Sequence, residues 1–163
     1  MSTYEKNSRR QIERSTASHN TVELAGRNSS QVWCGFRVVA RAEVISSEKT
    51  PSGLKVSHNG YRKLGIIHER EFSHDAMSFS VYDRLLGKKD LTAISRFHFH
   101  PEIDLKIEGN TITFQGGRLR FDNITDLRIN DYLYAPEFNI LIQGKVIEAI
   151  FSDNMKAVFQ FSR

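Results

Sequence analysis

The sequence predicts an all-β fold, an antiparallel β-sandwich of two packed sheets with roughly ten to thirteen strands. Three features predict it. Apolar and polar residues alternate with a period of two along most of the chain. Gly- and Asn-containing turns separate the alternating runs at spacings of about 8–12 residues. No window of about 11 residues carries the 3.6-residue apolar period of an amphipathic helix.

Residues 1–18 are rich in Ser, Arg and Glu. They read either as a disordered tail or as a loop that has lost an upstream partner, and residues 19–163 read as one domain. Val32–Ile45 and Tyr61–Phe72 read as long strands. Between them, His58-Asn59-Gly60-Tyr61 reads as a turn, because Asn and Gly tolerate positive φ. Ser78–Asp83 and Arg96–His100 alternate cleanly, the second run ending at Pro101. Ile103–Glu108, Thr111–Phe114 and Arg118–Phe121 alternate in succession. Gly109-Asn110 and Gly116-Gly117 punctuate them, which predicts a three-stranded meander. Lys156–Phe161 closes the chain as a last strand.

With 163 residues the chain suits a single domain. A domain of this size buries a core without disulfides. Cys34 is the only cysteine, so no internal disulfide forms. Its place in a strand pattern after Trp33 reads as a buried structural thiol. Met1–Arg14 lacks the apolar core of a signal peptide, and no apolar run approaches the roughly 18 residues needed to cross a bilayer. The net charge of +4 suits a polyanionic partner, nucleic acid or acidic polysaccharide, although both signs are mixed.

Several familiar sites are excluded. The chain has no Gly-rich phosphate loop and no Cys pair for zinc. No RNA-binding signature or dense Lys/Arg stripe supports nucleic-acid binding. His98 and His100 share a strand face. They read either as two ligands of an incomplete metal site or as the polar outer face of an edge strand. His58, His68 and His74 read as structural, with His68, next to Ile67, facing solvent or a cleft. Tyr4, Arg9, Arg10, Arg14 and His19 form a denser group. Removing the C5 proton of a uronic acid needs a base, which Tyr or His supplies. The charge that builds on the adjacent carboxylate needs a cation or hydrogen-bond donors. A polar tail explains the same residues equally well.

Several strings resemble the heparinase II/III-like polysaccharide lyase family. They are Arg14-Ser15-Thr16-Ala17-Ser18-His19-Asn20-Thr21-Val22, then Gln31-Val32-Trp33 with Phe36-Arg37-Val38, and His58-Asn59-Gly60-Tyr61-Arg62-Lys63-Leu64-Gly65 with His68-Glu69-Arg70. Asp83-Arg84-Leu85-Leu86-Gly87, Arg96-Phe97-His98-Phe99-His100-Pro101 and Tyr134-Ala135-Pro136-Glu137-Phe138 continue the series. Asn59 stands where the family usually has Asp.

The resemblance implies a C-terminal antiparallel β domain packed on an N-terminal α/α toroid, with β-elimination of uronic-acid polysaccharides between them. It implies Tyr4 as the proton-transfer tyrosine, Arg10 and Arg14 as substrate contacts, and His19 as a zinc ligand. In several relatives the resemblance implies a zinc ion held by two His and one Asp, of which this chain is expected to retain at most the His19 position, so no tightly bound zinc is expected here. The helical domain is absent from these 163 residues. The chain is therefore expected to be a truncated β domain, inactive by itself. Its expected partners are an acidic polysaccharide, a helical lyase domain on a separate or upstream segment, and a second copy of itself. The alternative is a non-catalytic acidic-polysaccharide-binding or assembly module. The chain as written carries no export address, and the resemblance implies a bacterial periplasmic or secreted setting.

Overall fold

A computed structural model describes residues 2–33, 37–87 and 90–162. The expected burial of Cys34 lies outside them. The described residues form an antiparallel β-sandwich. A short helix, α1 (Ser8–Glu13), comes first, capped by Asn7, whose Oδ1 accepts the Arg10 N–H at 3.0 Å. A 3₁₀ turn at Thr16–Ser18 follows. The chain then enters β1 (Val22–Leu24) and the small hairpin β2 (Gln31–Trp33) and β3 (Arg37–Val39). A long run of strands comes next: β4 (Val44–Thr50), β5 (Gly53–His58), β6 (Ile66–His74), β7 (Ser78–Gly87) and β8 (Ala93–His98). The last six are β9 (Lys106–Glu108), β10 (Thr111–Phe114), β11 (Gly117–Asp122), β12 (Asp126–Tyr134), β13 (Ile142–Phe151) and β14 (Asn154–Phe161).

These strands form an eight-stranded sheet, β4-β5-β6-β7-β14-β11-β10-β9, and a four-stranded sheet, β1-β8-β13-β12. The predicted meander is present. Glu108 pairs with Thr111 across Gly109-Asn110, with Gly109 at φ 57°. Phe114 pairs with Gly117 across Gln115-Gly116, with Gly116 at φ 90°. The strand count is fourteen among the described residues, against roughly ten to thirteen from pattern alone. The difference arises where long alternating runs break. Val32–Ile45 is split among β2, β3 and the start of β4, and Tyr61–Phe72 begins with a 3₁₀ turn at Arg62–Leu64 before β6.

The two sheets face each other through alternate residues, as period two requires. Val22, Leu24, Ala93, Phe97, Ile147, Ala149 and Phe151 of the small sheet meet Ile66, Val81, Leu85, Ile112, Leu119, Phe121, Met155 and Ala157 of the large one. Phe97 bridges the layers, its ring 5.6 Å from Phe121 and 6.0 Å from Phe159. Tyr61 is also buried, and its hydroxyl donates to the Val22 carbonyl.

One stretch of this interior is polar. Arg70 on β6 and Asp83 on β7 are direct cross-strand partners. Asp83 is 0 % exposed. Its Oδ1 accepts from Arg70 Nε at 2.7 Å and from His68 Nε2 at 2.8 Å; its Oδ2 accepts from Arg70 Nη2 and from Ser95 Oγ of the opposite sheet. The expectation that His68 faces solvent or a cleft is corrected here: it is 2 % exposed. Strand parity puts His68 on the Ile66 face, and that face turns inward.

The hydrogen-bond directions in this network are fixed. The Gly60 N–H donates to His58 Nδ1, so His58 Nε2 carries the proton and donates to His68 Nδ1 at 2.9 Å. His68 Nε2 then donates to Asp83. Burial pushes the Asp83 carboxyl up, but the Arg70 charge and the hydrogen bonds from His68 and Arg70 outweigh it, holding the group well below the usual range. His58 is pushed down to about 4, first by burial and then by His68 and Arg70.

The acid response follows from these shifts. His58 protonates near its ordinary 6.5 when unfolded and only near about 4 when folded. Between those values the unfolded state binds more protons, so stability is complete above pH 6.5 and falls toward pH 4. Asp83 withdraws a further contribution below its ordinary 3.8. The melting temperature should drop by several degrees from pH 7 to pH 4.5, since each 1 kcal/mol moves Tm by about 2–4 °C at this size. A Tm independent of pH in that window is the contrary result. Asp83→Ala, which strands Arg70, should cost about 3–5 kcal/mol in denaturant unfolding.

Candidate functional site

The outward face of the four-stranded sheet carries an open cleft of about 490 Å³. Its floor comes from alternate residues of β8 and β13 and from the contiguous run Asn130–Tyr134 of β12. In register, Arg96 lies beside Glu148, and His98 beside Val146 and Asn130. One wall is α1 with the following turn, through Arg9, Glu13, Ala17 and His19. The helix is tied down where Arg9 Nη2 donates to the Leu133 carbonyl at 3.0 Å and Glu13 accepts the Ser2 backbone N–H.

His98 is held in the cleft through its backbone and its ring by one partner. Asn20 Oδ1 accepts both the His98 backbone N–H and His98 Nδ1–H, each at 2.8 Å. An amide oxygen only accepts, so the neutral imidazole is held in its Nδ1–H form. Asn20 is itself anchored from the core, because its carbonyl accepts from Arg70 Nη1. The buried Asp83–Arg70 pair therefore sets the backbone that orients His98. Burial, helped by the nearby Arg96 and His19 charges, pushes His98 down to about 4. It is thus neutral at physiological pH.

Aromatic rings enclose His98 and His100. The Tyr132 ring lies 4.7 Å from His98, edge to face, and its hydroxyl donates to the Phe99 carbonyl at 2.8 Å. Tyr132 pairs with Gly144 across β12 and β13. A Cβ on Gly144 would stand 2.6 Å from the Tyr132 ring, so this glycine lets the ring cross β13 to reach His98. Tyr134 packs on His100 at 5.5 Å. The cleft's charged groups are already matched. Arg96 bonds Glu148 at 2.7 Å and Glu23 at 3.2 Å, Asn130 donates to the other Glu148 oxygen, and Arg9 pairs with Glu13.

The residues singled out from sequence do not all meet. His19 lines the cleft beside His98. Tyr4 is 63 % exposed, stacks on Phe138 at 5.5 Å and takes the Arg10 guanidinium over its ring; it is not among the cleft-lining residues. Arg10 is 1 % exposed, with Nη1 donating to the Thr3 carbonyl. Arg14 is half-buried at the C-terminal cap of α1, where its backbone N–H closes the helix. Among the described residues no three His, Cys, Asp or Glu side chains converge to hold a metal ion. The donor set therefore does not fit the two-His, one-Asp zinc site that the resemblance implies. Sequence reasoning passed over Arg96, Glu148, Tyr132 and Asn20, which build the cleft. Asn20, Arg96 and Tyr134 do stand in the strings that carry the resemblance.

Asn20→Ala should release the imidazole while leaving the core network in place. Long-range ¹H–¹⁵N spectra should show His98 as the neutral Nδ1–H tautomer in the wild type and a mixture in the variant. An unchanged tautomer would separate Asn20 from His98. Gly144→Ala should cost about 1–3 kcal/mol by displacing the Tyr132 ring.

The family model described as "Heparinase II/III-like, C-terminal" matches residues 1–157. Among solved structures, heparan sulfate lyase HepC from Pedobacter heparinus aligns with a TM-score of 0.72 at 14% identity, covering 99% of this chain and 28% of that one. A heparinase III aligns at TM-score 0.71 and 13% identity, covering 98% and 27%. Another heparinase III structure gives 0.69 and 14%, covering 96% and 25%. At such identities the likeness is one of fold, and this chain spans about a quarter of the length of those proteins. No curated protein matches it. On the match over residues 1–157, this chain belongs to the heparinase II/III-like family as its C-terminal β-sandwich domain.

Proposed function

We propose that this chain is the β-sandwich half of a lyase that cleaves uronic-acid polysaccharides by β-elimination. The cleft would form one wall of its active site. The single observation that carries this is His98, kept neutral by burial and held in one tautomer by Asn20, beside His19 and two tyrosines in an open groove. A neutral imidazole and phenols are the groups that take a proton from C5 or pass one to the leaving oxygen. Tyr4 enters only through the resemblance, as do Arg10 and Arg14 as substrate contacts.

The same geometry favours a chain that does not turn over by itself. β-Elimination needs positive charge or strong donors at the uronate carboxylate in the transition state. Both arginines lining the cleft are already bonded to carboxylates. The neutralising group is proposed to come from a helical domain on the opposite side of the groove, in a periplasmic or secreted enzyme. The matched charges also favour a second reading, a non-catalytic acidic-polysaccharide-binding or assembly module. Self-association is part of either reading, because β4 ends the large sheet with Val44 and Ile45 exposed, and unpaired strand edges pair readily.

Purified chain should yield no ultraviolet absorbance from unsaturated uronate on heparin, heparan sulfate or alginate. Turnover should appear when a helical lyase domain is supplied, and it should fall in Asn20→Ala. Robust turnover by the chain alone would overturn the two-wall proposal. Binding without turnover in the presence of the helical domain would favour the non-catalytic module. Light scattering should show a dimer or larger species at micromolar concentration; a clean monomer counts against edge pairing.

A further inference from the structure

A second concavity, about 280 Å³, opens on the other side of the Thr16–Ser18 turn. Arg27, Arg41, Arg62 and Lys63 line it, with the side-chain amides of Asn28 and Asn59. No acidic residue is among its lining residues. One carboxylate, Glu43, is tied to two of the lining residues without lining the recess itself. It is 3.9 Å from Arg62 Nη1 and otherwise bonded to Asn59 Nδ2 and the Asn59 loop. Among the described residues Arg27, Arg41 and Lys63 form no ion pair.

This recess differs from the cleft in kind. In the cleft each lining arginine is matched by a carboxylate; here like charges are gathered from three separate segments. Such a cluster raises the free energy of the fold unless an anion settles in it. Hydrogen bonds nevertheless tie down the wall beside Arg27. Asn28 Oδ1 accepts the Thr16 N–H at 2.7 Å, and Thr16 Oγ1 accepts the Ser29 N–H at 2.9 Å. On the far wall, a Cβ on Gly60 would stand 2.7 Å from the Ser29 carbonyl, so the two walls close onto each other only with glycine there. Gly60 also donates to His58 of the buried network. Guanidinium groups beside amide donors suit planar or tetrahedral oxyanions.

We propose that this recess is an anion subsite for one sulfate or carboxylate group of an acidic glycan, separate from the cleft. Thr16 bonds its walls while Ala17 and His19, one and three residues on, line the cleft. A linear polyanion lying in the cleft therefore reaches the recess by passing over a single turn. The inference deepens the lyase-domain reading by assigning the charge recognition that the cleft does not supply.

The test has two arms. In the first, inorganic sulfate is titrated into the isotopically labelled wild-type chain. The side-chain amide signals of Asn28 and Asn59 should shift saturably, and no shift would overturn the proposal. This arm needs no glycan, so it judges the recess even if the lyase reading fails. In the second, Arg41→Ala/Lys63→Ala is compared with Arg118→Ala/Arg120→Ala, which removes the same charge from the outer face of the large sheet. All four side chains are solvent-facing or at a strand surface, and a thermal melt checks that each variant folds. The recess variant should bind a heparin-derived oligosaccharide about tenfold more weakly and elute from heparin at lower salt. The control should elute near the wild type. Equal losses in both variants, or none in the recess variant, would overturn the subsite.

Discussion

The structure depends on one buried carboxylate. Asp83 has no exposure and sits between two sheets whose facing residues are otherwise largely apolar. An isolated charge there would cost far more than a domain's whole stability margin. It is tolerated because Arg70, His68 and Ser95 saturate both oxygens. The saturation has structural consequences. Ser95 belongs to the opposite sheet, so the network fixes how the layers face each other. Arg70 and His68 fix the register of β6 on β7, where a one-residue slip would point both away from Asp83. An apolar core tolerates some sliding of one layer on another; this polar contact does not.

The same network reaches the surface in two directions. Through Arg70 and the Asn20 carbonyl it holds the residue that orients His98 in the cleft. Through His68, His58 and the Gly60 N–H it holds the loop that forms one wall of the basic recess. Each link is a hydrogen bond with a defined donor. The cleft and the recess are therefore pinned to the same interior group, which gives them a fixed spacing without any direct bond between their functional side chains.

The strand content was legible because period-two alternation is a local property. The meander from Lys106 to Asp122 needed only alternation and two glycine-bearing turns. What alternation does not encode is which face turns inward and which strands become neighbours. His68 shows the first limit: parity groups it with Ile66, Arg70 and Phe72, and a face holding His and Arg reads as outward until Asp83 supplies a partner. Arg96 and Glu148 show the second. They stand 52 positions apart, and only the pairing of β8 with β13 brings them together. The strings that carry the family resemblance contain Asn20, His58, His68, Arg70, Asp83, Arg96 and His98. Those strings marked the right residues, but their roles are long-range contacts, and no local pattern states them.

Charge matching distinguishes the two concavities of the sandwich. An imidazole that is to accept a proton must start neutral, and the burial that keeps His98 neutral also makes an unpaired cation beside it costly. The cleft therefore holds its arginines in pairs with Glu13, Glu23 and Glu148, which removes their attraction for a polyanion. The recess faces the opposite constraint. Its cations are exposed, so water screens their mutual repulsion, and none of them lines the cleft that holds His98. In the proposed reading, recognition charge stands across a turn from the proton-handling groups, which satisfies both demands on one scaffold. An unpaired arginine moved into the cleft would strengthen binding there at the expense of the imidazole's basicity.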